Sequence, residues 1–236
     1  MGNRIGRAVR RPALALLVVA GLMGATSAAQ AALLGRDLNG SPATFEAYYD
    51  DVLKITWLAD ANYAKTSGFD SDGLMTWSAA NTWAATTIYG ITGWRLPYAS
   101  VAKTVGPAAI TDVVDCASAT EAVCRDNEMG YMFYHDLGGV FGTSIGTTHN
   151  SNYNLFANIQ NSFYWSGTEF SSTLAWRFGF DDGSEVSVRD NKISLDFAWA
   201  VHPGDVGAAA PEPASLLLMG AGMLGLGWSR RSGRRR

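Results

Sequence analysis

Three histidines, His135, His149 and His202, could act as general bases or metal ligands. No two of them have the spacing of a metal-binding motif, and no Gly-x-Ser-x-Gly segment supplies a hydrolase nucleophile. The glycine-rich residues 138–146 neither follow a strand pattern nor precede a lysine, so they do not form a phosphate-binding loop. A Ser-His-Asp triad joined only in space stays open. We therefore predict no catalytic residue, no bound metal and no cofactor.

Two acidic segments have residue types that bind hard cations. Asp70-Ser71-Asp72-Gly73 has the start of a calcium loop, but the later ligands and the closing glutamate are missing, so the segment predicts a turn. Asp181 and Asp182 belong to a hairpin pattern. With Glu169 and Glu185 they could gather carboxylates near one end of a sheet.

Aromatic side chains are the strongest candidates for a ligand surface. A sugar ring stacks on an exposed tryptophan or tyrosine while polar neighbours bond its hydroxyl groups. Trp165, Glu169, Trp176 and Arg177 are the candidates for such a surface. The alternative is that both tryptophans are core residues, since large rings usually fill the core.

The charge distribution divides the 236-residue chain into three parts. Residues 1–31 carry a formal charge of +4, residues 32–205 carry −11 and residues 206–236 carry +4. The acidic central part argues against DNA or RNA as a partner, because phosphate binding needs a basic face. The basic ends flank apolar runs, which indicates membrane targeting.

Residues 1–31 have the three parts of a secretory signal peptide. Four arginines precede the apolar residues 13–23, and Ala29-Gln30-Ala31 has the small-x-small cleavage pattern. We predict export, with cleavage by signal peptidase after Ala31. An uncleaved anchor is the alternative.

Residues 206–236 contain a linker followed by three features in order. Pro211-Glu212-Pro213 comes first, then fifteen uncharged residues, 214–228, and then an arginine cluster that includes Arg230 and Arg231. A helix of this length is about 22 Å long, shorter than the roughly 30 Å hydrocarbon core, so we predict a transient stop in the inner membrane. The prolines hold the preceding backbone extended, which suits a protease cleft.

These three features resemble the PEP-CTERM sorting signal over about the last 26 residues. The resemblance implies recognition by an exosortase, a membrane-embedded cysteine protease or transpeptidase that removes the tail. It also implies a destination at the surface or in the extracellular matrix of a Gram-negative bacterium that makes exopolysaccharide. A plain C-terminal membrane anchor is the alternative.

The central part, residues 32–205, has no repeat and predicts one domain. Residues 76–89 predict a helix capped by Thr76 or Ser78, and residues 128–137 predict a second helix capped by Asn127. Strands, with a hairpin turn at residues 181–184, are predicted at residues 52–58, 163–166, 175–180, 185–188 and 197–201. Two helices followed by short strands indicate an α+β fold.

Six strings of the central part carry a family resemblance. They are Ile55-Thr56-Trp57-Leu58-Ala59-Asp60-Ala61-Asn62, Met75-Thr76-Trp77, Gly93-Trp94-Arg95-Leu96-Pro97, Glu128-Met129-Gly130, Tyr164-Trp165-Ser166-Gly167-Thr168-Glu169 and Ala198-Trp199-Ala200-Val201-His202-Pro203-Gly204. Together they resemble the Lcl C-terminal domain family, a bacterial family similar in fold to C-type lectins. The resemblance implies two helices, a curled antiparallel sheet and termini brought together. His202 stands where an arginine is commoner, so a contact made by that arginine is weaker here. The lectin motifs Glu-Pro-Asn and Trp-Asn-Asp for calcium-dependent sugar binding do not occur.

Cys116 and Cys124 are the only cysteines, with seven residues between them. In an exported domain they predict a local disulfide, which contributes about 2–3 kcal/mol by closing a nine-residue loop in the chain-entropy model. The alternative is the paired cysteines of formylglycine-generating enzymes, whose fold is also lectin-like. The sequence shows no other part of such a site.

Together these patterns predict an exported, non-enzymatic protein of the cell surface or extracellular matrix. A single C-type lectin-like α+β domain, an adhesin-like or polysaccharide-associated binding module, lies between the signal peptide and a removable sorting tail. Its predicted partners are signal peptidase and exosortase during export, the inner membrane transiently, and an extracellular polysaccharide. An enzyme on a lectin-like scaffold, either formylglycine-generating or hydrolytic, and a purely structural matrix protein are the alternatives.

Overall fold

The computed structural model of the chain describes residues 32–41, 43–102, 113–185 and 188–207. The predicted signal peptide, residues 1–31, lies outside the described residues, as does the predicted sorting signal with Pro211, Glu212, Pro213, Arg230 and Arg231. The predicted tail helix at residues 214–228 is outside them too. Of the helices in the described ranges, none has the length and apolar character needed to cross a membrane.

Four short strands form one antiparallel sheet, in the order β1-β2-β3-β7. They are β1 (Leu33–Arg36), β2 (Ala47–Asp50), β3 (Ile55–Leu58) and β7 (Val201–Pro203). The tight turn after β2 forms because one oxygen of Asp50 accepts the amides of Val52 at 2.7 Å and Leu53 at 2.9 Å. The strand predicted at residues 52–58 is therefore confirmed only from Ile55 onward.

A second antiparallel sheet has the order β4-β5-β6. Its strands are β4 (Phe163–Glu169), β5 (Leu174–Gly179) and β6 (Arg189–Asn191). The predicted turn after β5 is confirmed, since the Gly179 amide donates to the Ser184 carbonyl at 2.9 Å and Gly183 has a φ of 75°. Of the strand predicted at residues 185–188, residues 186 and 187 lie outside the described residues and neither Glu185 nor Val188 belongs to a strand. β6 begins at Arg189, and Glu185 is buried.

The helices are short. They are α1 (Tyr63–Thr66), α2 (Trp77–Ala84), α3 (Glu121–Cys124) and α4 (Glu128–Tyr131), with a π-helical turn at Met132–Asp136 and a 3₁₀ helix at Ser151–Leu155. The predicted cap of α2 is confirmed, because the Thr76 hydroxyl accepts the Ala79 amide at 3.3 Å. α2 ends at Ala84, five residues before the predicted end, and the chain reverses where Ile88 and Ile91 exchange backbone hydrogen bonds.

The second predicted helix starts at its predicted cap, where the Asn127 side chain accepts the Gly130 amide at 3.0 Å. It changes from α4 to the π-helical turn halfway along, and the Leu137 amide donates to the Met132 carbonyl at 2.9 Å. The spacing of four apolar residues in this helix predicts one inward face, and all four are buried: Met129, Met132, Phe133 and Leu137.

The core lies between the two sheets and the helices, and large aromatic rings fill much of it. Trp57 and Trp199 meet edge to face with their ring centroids 5.1 Å apart, and the Trp199 indole donates to the Leu58 carbonyl at 2.7 Å. Helices and antiparallel sheets sharing one core make this an α+β fold, as predicted.

Candidate functional site

A groove of about 380 Å³ lies between α2, the segment that follows the turn after α2, and the end of β4. This size is within the range of small-ligand sites in proteins. The groove, which we call the α2 groove, is lined by Trp77, Ser78, Asn81, Thr82, Arg95, Leu96, Tyr98, Gly167 and Glu169. It combines two aromatic rings with hydroxyl, amide and charged groups.

Trp77 forms the first wall of the α2 groove. It follows the helix cap directly, so its ring leaves the first turn of α2 toward β4. Its indole donates to the Ser166 carbonyl at 2.8 Å, which fixes the ring while leaving it partly exposed. One turn further on, the side-chain amide of Asn81 donates to the Trp77 carbonyl at 2.8 Å. Trp77 and Asn81 therefore line the groove side by side, as the i, i+4 spacing requires.

Tyr98 forms the opposite wall and is held by Glu128. The Tyr98 amide donates to the Glu128 carboxylate at 2.7 Å, and the Glu128 amide donates to the Tyr98 carbonyl at 2.9 Å. Gly167 allows the ring to approach β4, since a Cβ atom there would lie 3.2 Å from the nearest ring carbon. The wall is thus set by contacts between three distant parts of the chain.

Arg95 lies against the face of Tyr98, with the guanidinium carbon 4.0 Å from the ring centroid. Both terminal nitrogens of Arg95 donate to the Glu128 carboxylate at 2.7 Å, in a two-pronged ion pair. The side chain of Glu128 is only 4% exposed and that of Arg95 is 21% exposed. The positive charge at this wall is therefore neutralised from inside the domain.

The second cation beside the groove, Lys192, is paired in the same way. Its ammonium forms an ion pair with Glu169, donates to the Ser172 carbonyl at 3.3 Å and lies 4.5 Å from the Trp77 ring centroid. The side chains of Lys192 and Glu169 are 16% and 23% exposed. Each described cation at the groove thus has a carboxylate partner within the domain.

The four residues predicted as a ligand surface lie in different environments. Trp165 is fully buried and donates to the Met75 carbonyl at 2.7 Å, while Trp176 is 3% exposed and packs edge to face on Phe170. Neither ring offers a face to a sugar, so the structure supports the alternative that both are core residues. Arg177 pairs with Asp190 and Asp196 at 2.7 and 3.2 Å. Glu169 alone of the four lines the α2 groove.

Trp77 and Tyr98 were not singled out as ligand residues by sequence reasoning. The signal that could have found Trp77 is its place in the first turn of a helix, with polar residues at its i+1, i+4 and i+5 positions. Tyr98 has no comparable local signal, because its position depends on Glu128, thirty residues later.

Cys116 and Cys124 are joined in a disulfide, so neither is a free thiol. The loop that they close docks on Glu185, whose carboxylate accepts the Cys116 amide and the Asn127 side chain, the latter at 2.7 Å. Burial raises the pKa of Glu185 to about 8; nearby Asp115 adds to this effect, and the backbone amides of Cys116 and Ala117 oppose it. Glu185 therefore acts as a docking group for the loop.

The acidic segments at residues 70–73 and 181–184 form turns. Asp70 accepts the amides of Asp72 at 3.0 Å and Gly73 at 2.8 Å, which confirms the predicted turn, and Asp182 accepts the Ser184 amide at 2.8 Å. In the described ranges no group of three or more histidine, cysteine, aspartate or glutamate side chains is placed to hold a metal ion.

Each histidine has a local packing role. His135 stacks on Tyr131 with ring centroids 4.9 Å apart, and burial lowers its pKa. His149 stacks on Tyr153 at 4.0 Å. Nε2 of His202, the residue that departs from the resembled family, lies 3.0 Å from the Thr92 carbonyl oxygen.

Comparison with known proteins identifies the end of the chain. Residues 209–231 match the PEP-CTERM protein-sorting motif, which confirms the predicted sorting signal. The motif implies recognition by an exosortase, and with it export and surface sorting in a bacterium. No curated protein and no solved structure matches the chain.

Proposed function

We propose that this chain is an exported protein of a Gram-negative bacterium whose α+β domain binds glycans non-enzymatically at the cell surface or in the extracellular matrix. The sorting motif at residues 209–231 supports the destination. The strings that resemble the Lcl C-terminal family support a C-type lectin-like chain path, a fold that carries binding surfaces on many proteins. In this proposal the signal peptide, residues 1–31, and the sorting tail are removed, and the domain in between persists.

The observation that carries glycan binding is the α2 groove. Sugars combine apolar C–H faces with many hydroxyl groups, and the groove offers two partly exposed rings, Trp77 and Tyr98, beside the polar side chains of Ser78, Asn81 and Thr82. The indole of Trp77 is fixed by its hydrogen bond to the Ser166 carbonyl, and Tyr98 is fixed by Arg95 against its ring and by Glu128 at its backbone amide. Little freedom is therefore lost when a ligand binds.

Thr82→Arg is expected to weaken glycan binding by about tenfold or more, because a long charged side chain would occupy the groove. Thr82 is exposed and its substitution touches no core residue. Thr87→Arg is the matched control, since Thr87 is an exposed threonine on the same stretch of chain and does not line the groove. The measurement is calorimetric titration of the full-length chain, in mild detergent, with neutral glucose, mannose and galactose oligomers.

Equal binding by the Thr82→Arg and Thr87→Arg chains would show that the groove is not the glycan site. If the unmodified chain binds none of these oligomers and none of their C6-oxidised uronates, the proposal of glycan binding is wrong. The result would then favour a structural matrix protein.

The mature protein is expected to lack everything beyond about Pro213, because the exosortase recognises the motif and removes the tail. Mass spectrometry of protein recovered from the cell surface should return peptides of the central domain and none from the arginine-rich end. The inner-membrane fraction is the control, since unprocessed precursor there should still contain that end. Recovery of intact tail peptides in surface material would contradict tail removal.

A further inference from the structure

We infer that Glu169 determines the specificity of the α2 groove. Its carboxylate restricts the ligands of the groove to uncharged glycans and excludes glycans that carry carboxylates. This inference rests on the proposed glycan-binding function. It names the ligand class and the side chain that selects it.

The first step is that both described cations at the groove are already paired with carboxylates of the domain. Arg95 has both terminal nitrogens on Glu128, and Lys192 has its ammonium on Glu169. A carboxylate on a ligand would therefore find no unpaired cation in the described lining. It would instead meet the partly exposed carboxylate of Glu169, and two like charges at a partly buried site repel.

The second step separates Glu169 from Glu128. Glu128 lies behind Arg95, is nearly inaccessible and also holds Tyr98 in place, so it belongs to the framework of the groove. Glu169 lines the groove directly and is 23% exposed, so its carboxylate can accept hydrogen bonds from ligand hydroxyls. A neutral sugar supplies such donors, and a uronate supplies an additional negative charge.

The third step is what remains when the charge of Glu169 is removed. Lys192 keeps two other contacts, the Ser172 carbonyl and the Trp77 ring, and its backbone carbonyl still accepts the Trp77 amide at 3.0 Å. The ammonium therefore stays beside the groove without a carboxylate partner. The groove of a Glu169→Gln chain should keep its shape, while the net charge of the groove and its surroundings becomes more positive by one unit.

The test compares neutral oligomers of glucose, mannose and galactose with the corresponding C6-oxidised uronates. The full-length chain, in mild detergent, is titrated calorimetrically with each oligomer at two salt concentrations. We expect the unmodified chain to bind at least one neutral oligomer about tenfold or more tightly than its uronate. In Glu169→Gln this preference should fall by about tenfold or reverse, and the gained uronate binding should weaken with added salt.

Asp181→Asn is the matched control, because Asp181 is an exposed acid of the hairpin turn and its substitution changes net charge by the same amount outside the groove. Its neutral-to-uronate preference should equal that of the unmodified chain. A change as large as that of Glu169→Gln would mean that net charge sets the preference, and would overturn the inference.

The outcomes separate this inference from the proposed function. If Thr82→Arg abolishes binding while Glu169→Gln leaves the neutral-to-uronate preference unchanged, the groove binds glycans and Glu169 does not select among them. A preference for uronates in the unmodified chain also overturns the inference alone. If no oligomer of either class binds, the inference and the proposed function fail together.

Discussion

Replacing Glu128 by alanine is expected to lower the free energy of unfolding by about 3 kcal/mol, because it removes the partner of a partly buried guanidinium. Arg95 would keep only its contacts with the Leu96 carbonyl, 3.0 Å away, and with the Tyr98 ring. The Tyr98 amide would also lose its acceptor. The cost is that of leaving a charge and a polar group without partners, which is larger than the net value of the pair.

The measurement is urea unfolding of the full-length chain followed by tryptophan fluorescence, which reports on the buried indoles of the core. Arg125→Ala is the control, because Arg125 pairs with Glu121 at 2.9 Å across one helical turn and these side chains are 48% and 34% exposed. Glu121 stays in place in this variant and still accepts the Tyr131 hydroxyl. Such exposed pairs contribute little to stability, because water and salt screen the two charges. Similar losses in the two variants would contradict the assigned difference between the two ion pairs.

Glu128→Ala should also weaken glycan binding at temperatures where the variant is still folded. Glu128 holds the backbone of Tyr98 and neutralises Arg95, so its loss disturbs one wall of the α2 groove. A loss of affinity would show that the Arg95–Glu128 ion pair holds the proposed glycan site in shape.

Local features of the fold could be predicted from the sequence because they depend on neighbouring residues. Thr76 and Asn127 cap helices through amides three residues away, and Gly183 supplies the positive φ of the hairpin turn. The inward face of the second helix follows from its periodicity, even though the helix changes from α to π at Met132. None of these features requires knowledge of distant contacts.

The groove could not be predicted because its parts come from positions far apart in the chain. Trp77, Tyr98 and Lys192 meet only after α2, the segment following it and the second sheet have packed together. Trp165 and Trp176 stand in strand patterns that do not reveal which face is covered, and both faces of β4 prove to be largely buried. Glu185 fits a strand pattern too, yet the disulfide loop binds its carboxylate.

Buried carboxyl groups give the domain a second property that the sequence does not reveal. Asp50, at the end of β2, and Asp136, at the end of the π-helical turn, are both inaccessible to solvent, and the two carboxyl groups lie close enough for each to influence the titration of the other. Desolvation, followed by the charge of Asp50, raises the pKa of Asp136 well above its usual range. Desolvation also raises the pKa of Asp50, although the Leu53 and Val52 amides oppose it. Burial beside Asp50 therefore favours the protonated form of Asp136 in the folded domain.

The contribution of the buried carboxyl pair to the stability of the domain is expected to fall as the pH rises above about 4, the pKa of an aspartate in the unfolded chain. Above that pH the folded state binds a proton at Asp136 that the unfolded state has released, so each pH unit removes up to about 1.4 kcal/mol until the folded pKa is passed. Glu185, with a pKa raised to about 8, acts in the same direction. A variant is therefore needed to separate the contribution of the Asp50–Asp136 pair from that of Glu185.

Asp136→Asn is that variant, because an asparagine cannot ionise and its side-chain N–H can donate to Asp50 as the protonated acid does. The midpoints of urea unfolding at pH 5, 6, 7 and 8 should fall less steeply for Asp136→Asn than for the unmodified chain, and at pH 8 the variant should be the more stable of the two. Asp181→Asn, at the exposed hairpin position, should follow the unmodified chain throughout. Parallel pH profiles for the unmodified chain and Asp136→Asn would mean that the pair holds no proton at neutral pH, and that the two buried carboxylates are stabilised in another way.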